Sequence, residues 1–248
     1  MVSNLIGAAV PSASKFELPF RLGIVRTDDQ LSAICQVRCR AYSRHVPEFG
    51  ATLAKPEALD KTAGVLNFYI QHKLTGQIIA TARLQNNFQR ALEINADWQL
   101  PPWLLEASAA EITRFSVLSE YANSSGLISR VLVKACYHYC FATQIQWVVI
   151  GARRSLAKGY IRLGYRDLDP DAKYHRMAHI GNLEHRVLVF DVVGAERSWH
   201  ELKNPYYDFM HKQYHPDIEL FSSLSSIWTR PRSINYIEQN AMDMFPIV

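Results

Sequence analysis

The sequence predicts an α/β protein in which helices pack on a mixed, strongly twisted sheet. Three observations carry that expectation. Runs rich in β-branched and aromatic residues alternate with segments of helical periodicity in the order β, α, β-hairpin, β, α, β, α, β. Two such β-rich runs in "VLNFYIQHKLTGQIIATARLQ" flank Thr75-Gly76, the mark of a hairpin. "IQWVVIGA" is a continuous apolar run of strand length, as a strand buried on both faces requires.

In chain order, "FRLGIVRT" (Phe20–Thr27) reads as a short first strand. "TDDQLSAICQVRCRAYSR" then opens a helix. Thr27 stands at the cap with acids in the first turn, and Leu31, Ile34, Val37, Ala41 and Tyr42 fall near helical spacing. Pro47 marks the exit, and "KPEALDKTAG" is turn-like. The hairpin follows. The stretch from Asn86 to Ala110, with "QLPPWLLEA", is too long for a tight turn and reads as an excursion. "AEITRFSVL" is the next strand, "SEYANSSG" a loop, and "LISRVLVKACYHYCFAT" a strong helix. After the buried strand, "RRSLAKGYIRLG" is a helix stopped by Gly164. "HRVLVFDVV" is the last clear strand, and "SWHELKNPYYDFMHKQYH" mixes helix and turn. The expected organisation is an N-terminal arm over residues 1–19, one domain over 20–215, and an extension over 216–248 anchored by Trp228 and Phe245.

Composition narrows the class. A 248-residue chain with 48% hydrophobic and 20% charged residues is an ordinary soluble globular protein. A net charge of +4 does not call for nucleic acid, but suits an acidic partner if the basic residues cluster. No apolar run reaches the length of a membrane span, and the first residues lack the basic start of a secretory signal. Cys35/Cys39 and Cys136/Cys140 are each spaced one helical turn apart, which fits core residues of two helices in a reducing cytoplasm. His175 and His179 are read as one solvated helical face, and no metal site is expected.

"AAEITRF" (Ala109–Phe115) holds the chemically pointed feature. Side chains alternate along a strand, so Glu111 and Arg114, three apart, point to opposite faces, and one charge must turn inward or into a cleft. An inward carboxylate is either a general base or half of a salt bridge with an arginine such as Arg83 or Arg38.

Four segments resemble the acyl-CoA N-acyltransferase (GNAT) fold, and within it the autoinducer (acyl-homoserine lactone) synthases and, more closely, the N-acyl amino acid synthases. "VRCRAYSRHVP" is similar to the family's first-helix Arg-x3-aromatic motif through Arg38 and Tyr42. "EALDKTAGVLNFYI" resembles its acidic segment before strand two, with Asp60 as the matching aspartate. "ATARL" carries Arg83, and "EITRF" carries Glu111 and Arg114. The resemblance spans about Gly23 to Asp167. The autoinducer synthases' tryptophan after the first helix is absent, with Val46-Pro47 near its place, and only one of their two acidic positions is matched. Both departures put amino acid acylation ahead of homoserine lactone synthesis.

The resemblance implies a sheet with strands four and five splayed. It implies transfer of a fatty acyl group from acyl carrier protein to the α-amine of an amino acid, with Glu111 as general base. It places backbone N–H groups around Phe115–Leu118 as the oxyanion site, and Tyr160, ahead of Gly164-Tyr165, as the group that protonates the leaving sulfur or as simple packing. Arg38, Asp60, Arg83 and Arg114 are its candidates for binding the amino acid carboxylate or ordering the loop. The donor loop, Gln/Arg-x-x-Gly-x-Gly/Ala in coenzyme A-dependent members, survives as "NSSGLI" with only Gly126 in place. A branched Ile128 is expected to crowd a pyrophosphate, whereas Ser124, Ser125 and the helix N-terminus can hold the single phosphate of a 4'-phosphopantetheine arm, or merely cap the helix. Acyl carrier protein is thus the expected co-substrate and partner, with no tightly bound cofactor and only peripheral membrane contact through a lipid product. Arg154, Lys158 and Arg162, every fourth residue, form a basic stripe with Arg153 and Arg166 nearby, which is a docking face for an acidic carrier or a solvated helix face. "LPPWLLEA" and Trp199 to Phe221 are candidate walls for an acyl groove, or ordinary core. Three alternatives remain: a homoserine lactone synthase, an acetyl-CoA-dependent N-acetyltransferase of a small amine, and an inactive module binding carrier protein or lipid.

Overall fold

The computed structural model describes residues 16–220; most of the N-terminal arm, and Trp228 and Phe245, lie outside the described residues. The strands are β1 (Phe20–Ile24), β2 (Val65–His72), β3 (Ile78–Asn86), β4 (Ala109–Val117), β5 (Trp147–Ala152), β6 (Arg166–Asp167), β7 (His175–Met177) and β8 (Leu183–Asp191). The helices are α1 (Asp28–Ser43), α2 (Pro47–Thr52), α3 (Pro102–Leu105), α4 (Ser125–Ala142), α5 (Arg154–Arg162) and α6 (Ala195–Glu201). The sheet order is β1-β2-β3-β4-β5-β8-β6, with β7 paired to β8. Neighbours are antiparallel except for β4 and β5, which are parallel. The expected main strands and the helices α1, α4 and α5 are present; β6 and β7, only two and three residues long, and the short α2 and α3 were not read from the sequence.

Local rules explain most elements. α1 starts on a capping box: Gln30 N–H donates to the Thr27 hydroxyl and Gln30 Oε1 accepts from Thr27 N–H. Its buried stripe, Leu31, Ile34, Cys35, Val37 and Arg38, ends in a charged residue that has to be neutralised. α5 ends at Gly164, which sits at φ +104, where a side chain is strained. The indole N–H of Trp199 then donates to the Leu163 carbonyl at 2.8 Å and closes that end of the helix.

The two sheet faces differ. One buries Leu66, Phe68, Ile70, Ala80, Ala82, Leu84, Ala110, Ile112, Val148 and Ile150 against α4 through Ile128, Val131, Leu132 and Ala135. The other is split. α1 covers Tyr69 and Ile78 near one edge, and the 86–110 excursion lays Leu92, Ile94, Leu100 and Leu104 on Ala109, Val149, Val187 and Val189. Between those two patches lies a band of buried polar residues: Asn67, Thr81, Arg83, Gln85, Glu111 and Thr113.

β4 and β5 pair only from Ala109–Trp147 to Ile112–Ile150, although β4 continues to Val117 and β5 to Ala152. The sheet parts there, as expected. On its other side β4 carries a bulge. Its register with β3 slips between Thr81–Ser116 and Arg83–Thr113, and Arg114 adopts φ +51. A non-glycine residue in that region costs about 1–2 kcal/mol, so contacts around Arg114 must hold it. Beyond the domain core, Leu22 bridges Ile218, so the first described residues of the C-terminal extension run alongside β1.

Candidate active site

The bulge overturns the alternation argument for "AEITRF". Because β4 holds one extra residue, Glu111 and Arg114 end on the same polar band and not on opposite faces. Both are buried, at 0% and 2% exposure. Nor do they pair with each other or share an arginine.

Arg114 donates from Nε and Nη2 to the two carboxylate oxygens of Glu57, at 2.7 and 2.6 Å. Arg83 donates to Glu57 at 3.0 Å, to Thr113 Oγ1 at 3.1 Å, and to Asp60 and Glu93. Arg38 donates to both oxygens of Asp60, at 2.9 and 2.8 Å, and to Asn67 Oδ1 at 2.6 Å. Three guanidinium groups thus meet three carboxylates in a neutral buried network. Burial pushes the Glu57 carboxyl up, but its hydrogen bonds and proximity to Arg114, then Arg83 and Arg38, hold it below the usual range. Arg38, Asp60 and Arg83 do not reach the cleft described below; they are occupied with one another. Together they tie α1 to the sheet and hold the Glu57 carboxylate that pairs with Arg114. Glu57 is the second acid before strand two. It was not singled out in the sequence, because its partners Arg83 and Arg114 lie 26 and 57 positions away along the chain.

Glu111 has other partners. Its Oε2 accepts from Ile94 N–H at 2.9 Å, and its Oε1 faces His179 Nε2 at 3.2 Å. The other ring nitrogen of His179, Nδ1, contacts Asp97, whose carboxylate also accepts from His179 N–H at 3.1 Å. Burial lowers the affinity of His179 for its second proton, but Glu111 and Asp97 more than offset this, so its pKa is raised. With both nitrogens facing carboxylates, the imidazolium is the form that satisfies both contacts. The short helical turn Glu93–Ala96 links the two networks: Glu93 binds Arg83, and Ile94 N–H binds Glu111.

The expectation of a helix bearing His175 and His179 is therefore wrong. His175 lies in β7 and contacts Asp169 at 2.8 Å; His179 lies in the turn after it, inside the protein. The pairing depends on Asp97, 82 positions away, and Glu111, 68 positions away, which no local pattern records.

A cleft of about 200 Å3 opens where β4 and β5 part. Tyr42, Ile112, Thr113, Arg114, Phe115, Ser116, Val117, Ile150, Gly151 and Tyr160 are among its lining residues. Glu111 does not line it. It lies one residue before the last β4–β5 pair, at the root of the fork, two residues from Thr113 on the same side of the strand; at roughly 3.3 Å per residue that is about 7 Å. Tyr160 faces the cleft, packs edge-on against Tyr165 at 5.4 Å, and has its phenol pKa raised by burial. Of the backbone stretch expected to hold an oxyanion, Phe115, Ser116 and Val117 border the cleft, but Leu118 N–H is taken by the Ile79 carbonyl at 2.9 Å.

The donor-loop expectations fare differently. The side chains of Ser124 and Ser125 lie outside the described residues. A Cβ on Gly126 would meet no protein atom within 4 Å, so the fold itself does not demand glycine there. Ile128 is 1% exposed and packs into the α4 core, so it does not crowd the loop as expected. Arg154, Lys158 and Arg162 are exposed along α5, with Arg154 stacked over Tyr174 at 4.2 Å. Arg153, half-buried, turns instead into the cleft. Of the expected acyl walls, Leu100 and Leu104 are ordinary core away from the cleft, and Trp199 and Met210 border a closed void of about 10 Å3 that Ile112 separates from it. Among the described residues no group of three His, Cys, Asp or Glu side chains is disposed to hold a metal, and no helix is long and apolar enough to cross a membrane.

No protein-family model and no curated protein matches the sequence. Solved structures do match. The N-acyl amino acid synthase FeeM from uncultured soil microbes aligns over 77% of this chain and 97% of its own, with 16% identity and a TM-score of 0.57. A GNAT-family acetyltransferase of Staphylococcus aureus Mu50 aligns over 69% and 99%, with 12% identity and a TM-score of 0.46. The ribosomal-protein-S18-alanine N-acetyltransferase of Escherichia coli aligns over 70% and 94%, with 16% identity and a TM-score of 0.47. The chain has the GNAT fold: a mixed sheet that is not closed, flanked by helices, with a parallel β4–β5 pair that parts.

Proposed function

We propose that this chain is an N-acyltransferase that moves a fatty acyl group from a pantetheine thioester onto the α-amine of an amino acid. The observation that carries the reading is the Asp97–His179–Glu111 chain at the root of the fork where β4 and β5 separate. Amide formation needs a thioester carbonyl held beside an amine and a group that takes the ammonium proton. The parted strands offer the slot for the pantetheine arm, and the backbone of Phe115–Val117 borders the carbonyl's position. Glu111 takes the proton through one bridging water, since it stands about two residues back from the cleft. His179, held as an imidazolium between Asp97 and Glu111, donates from Nε2 to Oε1 and keeps the carboxylate oriented for that step. The C–N bond forms and the thioester C–S bond breaks; Tyr160 gives the departing sulfur its proton and regains one from the nitrogen, which loses its second proton as the amide is made.

Acyl carrier protein is the proposed donor, supported by the exposed Arg154–Lys158–Arg162 stripe and by the likeness to an N-acyl amino acid synthase. One observation favours a second reading: with Ile128 turned into the core, room for a coenzyme A pyrophosphate is not blocked by that side chain.

The test is purified protein with lauroyl-acyl carrier protein, lauroyl-coenzyme A and acetyl-coenzyme A, each with a mixture of amino acids, and products read by mass spectrometry. N-lauroyl amino acids from the carrier-bound donor are expected. Turnover with acetyl-coenzyme A alone would replace the first reading by the second. Glu111→Gln is expected to lower kcat about 10²–10⁴-fold; unchanged turnover removes Glu111 from the chemistry.

A further inference from the structure

The cleft has an unbalanced charge. Arg44, His45, Arg114, Arg153 and His185 line it, and among the described residues no Asp or Glu does. Arg114 is neutralised by Glu57, but Arg44 and Arg153 have no ion pair among the described residues. They arrive from separate elements: Arg44 closes the C-terminal end of α1, and Arg153 precedes α5. His45 and His185 both have their pKa lowered, by burial first; Arg153 lowers both further, at His185 against the opposing hydrogen bond to the Leu183 carbonyl, which fits a locally positive potential. A wider groove of about 660 Å3 runs outward from Arg153 and Leu183, past Arg154, Tyr174, Arg176 and a single acid, Glu184. Two unpaired guanidinium groups turned on one cavity are a recurrent way to hold an anion, and guanidinium matches a carboxylate through paired hydrogen bonds.

We propose that Arg153 and Arg44 form the subsite for the carboxylate of the acyl acceptor, which makes that acceptor an α-amino acid and not a plain amine. The inference rests on the acyltransferase reading above. Side matters to the assignment. These residues come from the end of α1, the start of α5 and β8, whereas Gly126, Leu127 and Ile128, the described part of the expected donor segment, are not among the lining residues. In an α-amino acid the nitrogen is two bonds from the carboxylate carbon. Anchoring the carboxylate at Arg153 therefore sets the amine within a few ångströms of that guanidinium, inside the cleft that Thr113 and Phe115 also line. His185, with Nδ1 held against the Leu183 carbonyl at 3.0 Å, fixes the wall behind Arg153.

The experiment is calorimetric binding of two product analogues, N-lauroylglycine and N-lauroylglycinamide, which differ in charge at the carboxyl end, together with coenzyme A. Wild type is expected to bind the acid on the order of tenfold to a hundredfold more tightly than the amide. Arg153→Gln is expected to reduce that preference to about threefold or less while leaving the affinity for the amide unchanged, which also shows that the variant is folded. Arg153→Lys retains part of the preference, and Arg44→Gln, at an exposed position, lowers it by a smaller factor. Equal binding of acid and amide to wild type overturns the subsite while leaving the acyltransferase reading intact. Binding of neither analogue overturns both. If Arg153→Gln weakens coenzyme A and spares the acid, the cluster holds the donor's phosphate and the assignment to the acceptor is wrong.

Discussion

Removing one charge from the buried network tests whether three arginines stand inside this protein only because three acids do. Glu57→Gln keeps the size and deletes the charge. In the native protein Glu57 accepts from Arg114 at 2.6 and 2.7 Å and from Arg83 at 3.0 Å, with Arg38 at 3.9 Å. After the change three guanidinium groups face only Asp60 and Glu93. Breaking a buried pair from one side costs about 3–5 kcal/mol. The Glu57 side chain is 24% exposed, which places the loss near the lower end, about 3 kcal/mol. For a domain of this size that is a fall in Tm of roughly 6–12 °C. The pH dependence gives an independent readout. A carboxyl whose folded pKa is depressed contributes stability that is fully present above its unfolded value, 4.5, and is lost as pH falls through the folded one. Wild type should therefore lose more stability than Glu57→Gln between pH 5 and lower pH. Urea melts of both proteins at pH 7 and pH 4 measure this. A loss below about 1 kcal/mol at pH 7, or parallel acid dependence in the two proteins, would refute the account of the network.

Other outcomes follow from the same geometry. The raised pKa of His179 means that its contribution to stability is present below 6.5 and lost as pH rises through the folded value, so His179→Asn should flatten stability above pH 6.5 and shift the rising limb of kcat/KM by removing the charge beside Glu111; identical profiles would show that His179 does not act on Glu111. Gly181 has φ +73 and an added Cβ would lie 2.8 Å from the Phe49 ring, over which Arg114 is stacked at 5.4 Å. Gly181→Ala should cost at least about 1–2 kcal/mol by chemical denaturation; a neutral result would mean that α2 moves aside freely. Tyr160→Phe should lower kcat with little change in Tm if the phenol protonates the leaving sulfur, and equal kcat would leave it as packing. Lys134, buried against the Phe209 and Gln213 carbonyls at 2.6 Å, has its pKa lowered to about 8 by burial, so melts should show stability rising between pH 8 and 10.5, and Lys134→Met should abolish that rise.

Local pattern along the chain was enough to read the main elements and their order. Helical spacing in α1 and α4, the alternation of β2 and the all-apolar run of β5 are local patterns, set by the geometry of a few consecutive residues. It also singled out Glu111 and Tyr160 by motif. It misjudged what charged residues do, because a charge is satisfied by whatever packs against it. Only the tertiary structure showed that a bulge at Arg114 brings that residue and Glu111 onto one face, and that Arg38 and Arg83 are consumed by Glu57, Asp60 and Glu93. Only it joined His179 to Glu111 and Asp97, and left Arg153 facing an open cleft. Such pairings join residues far apart along the chain; the reason they form is desolvation in a shared interior, a property of the packed whole that no short window of sequence contains.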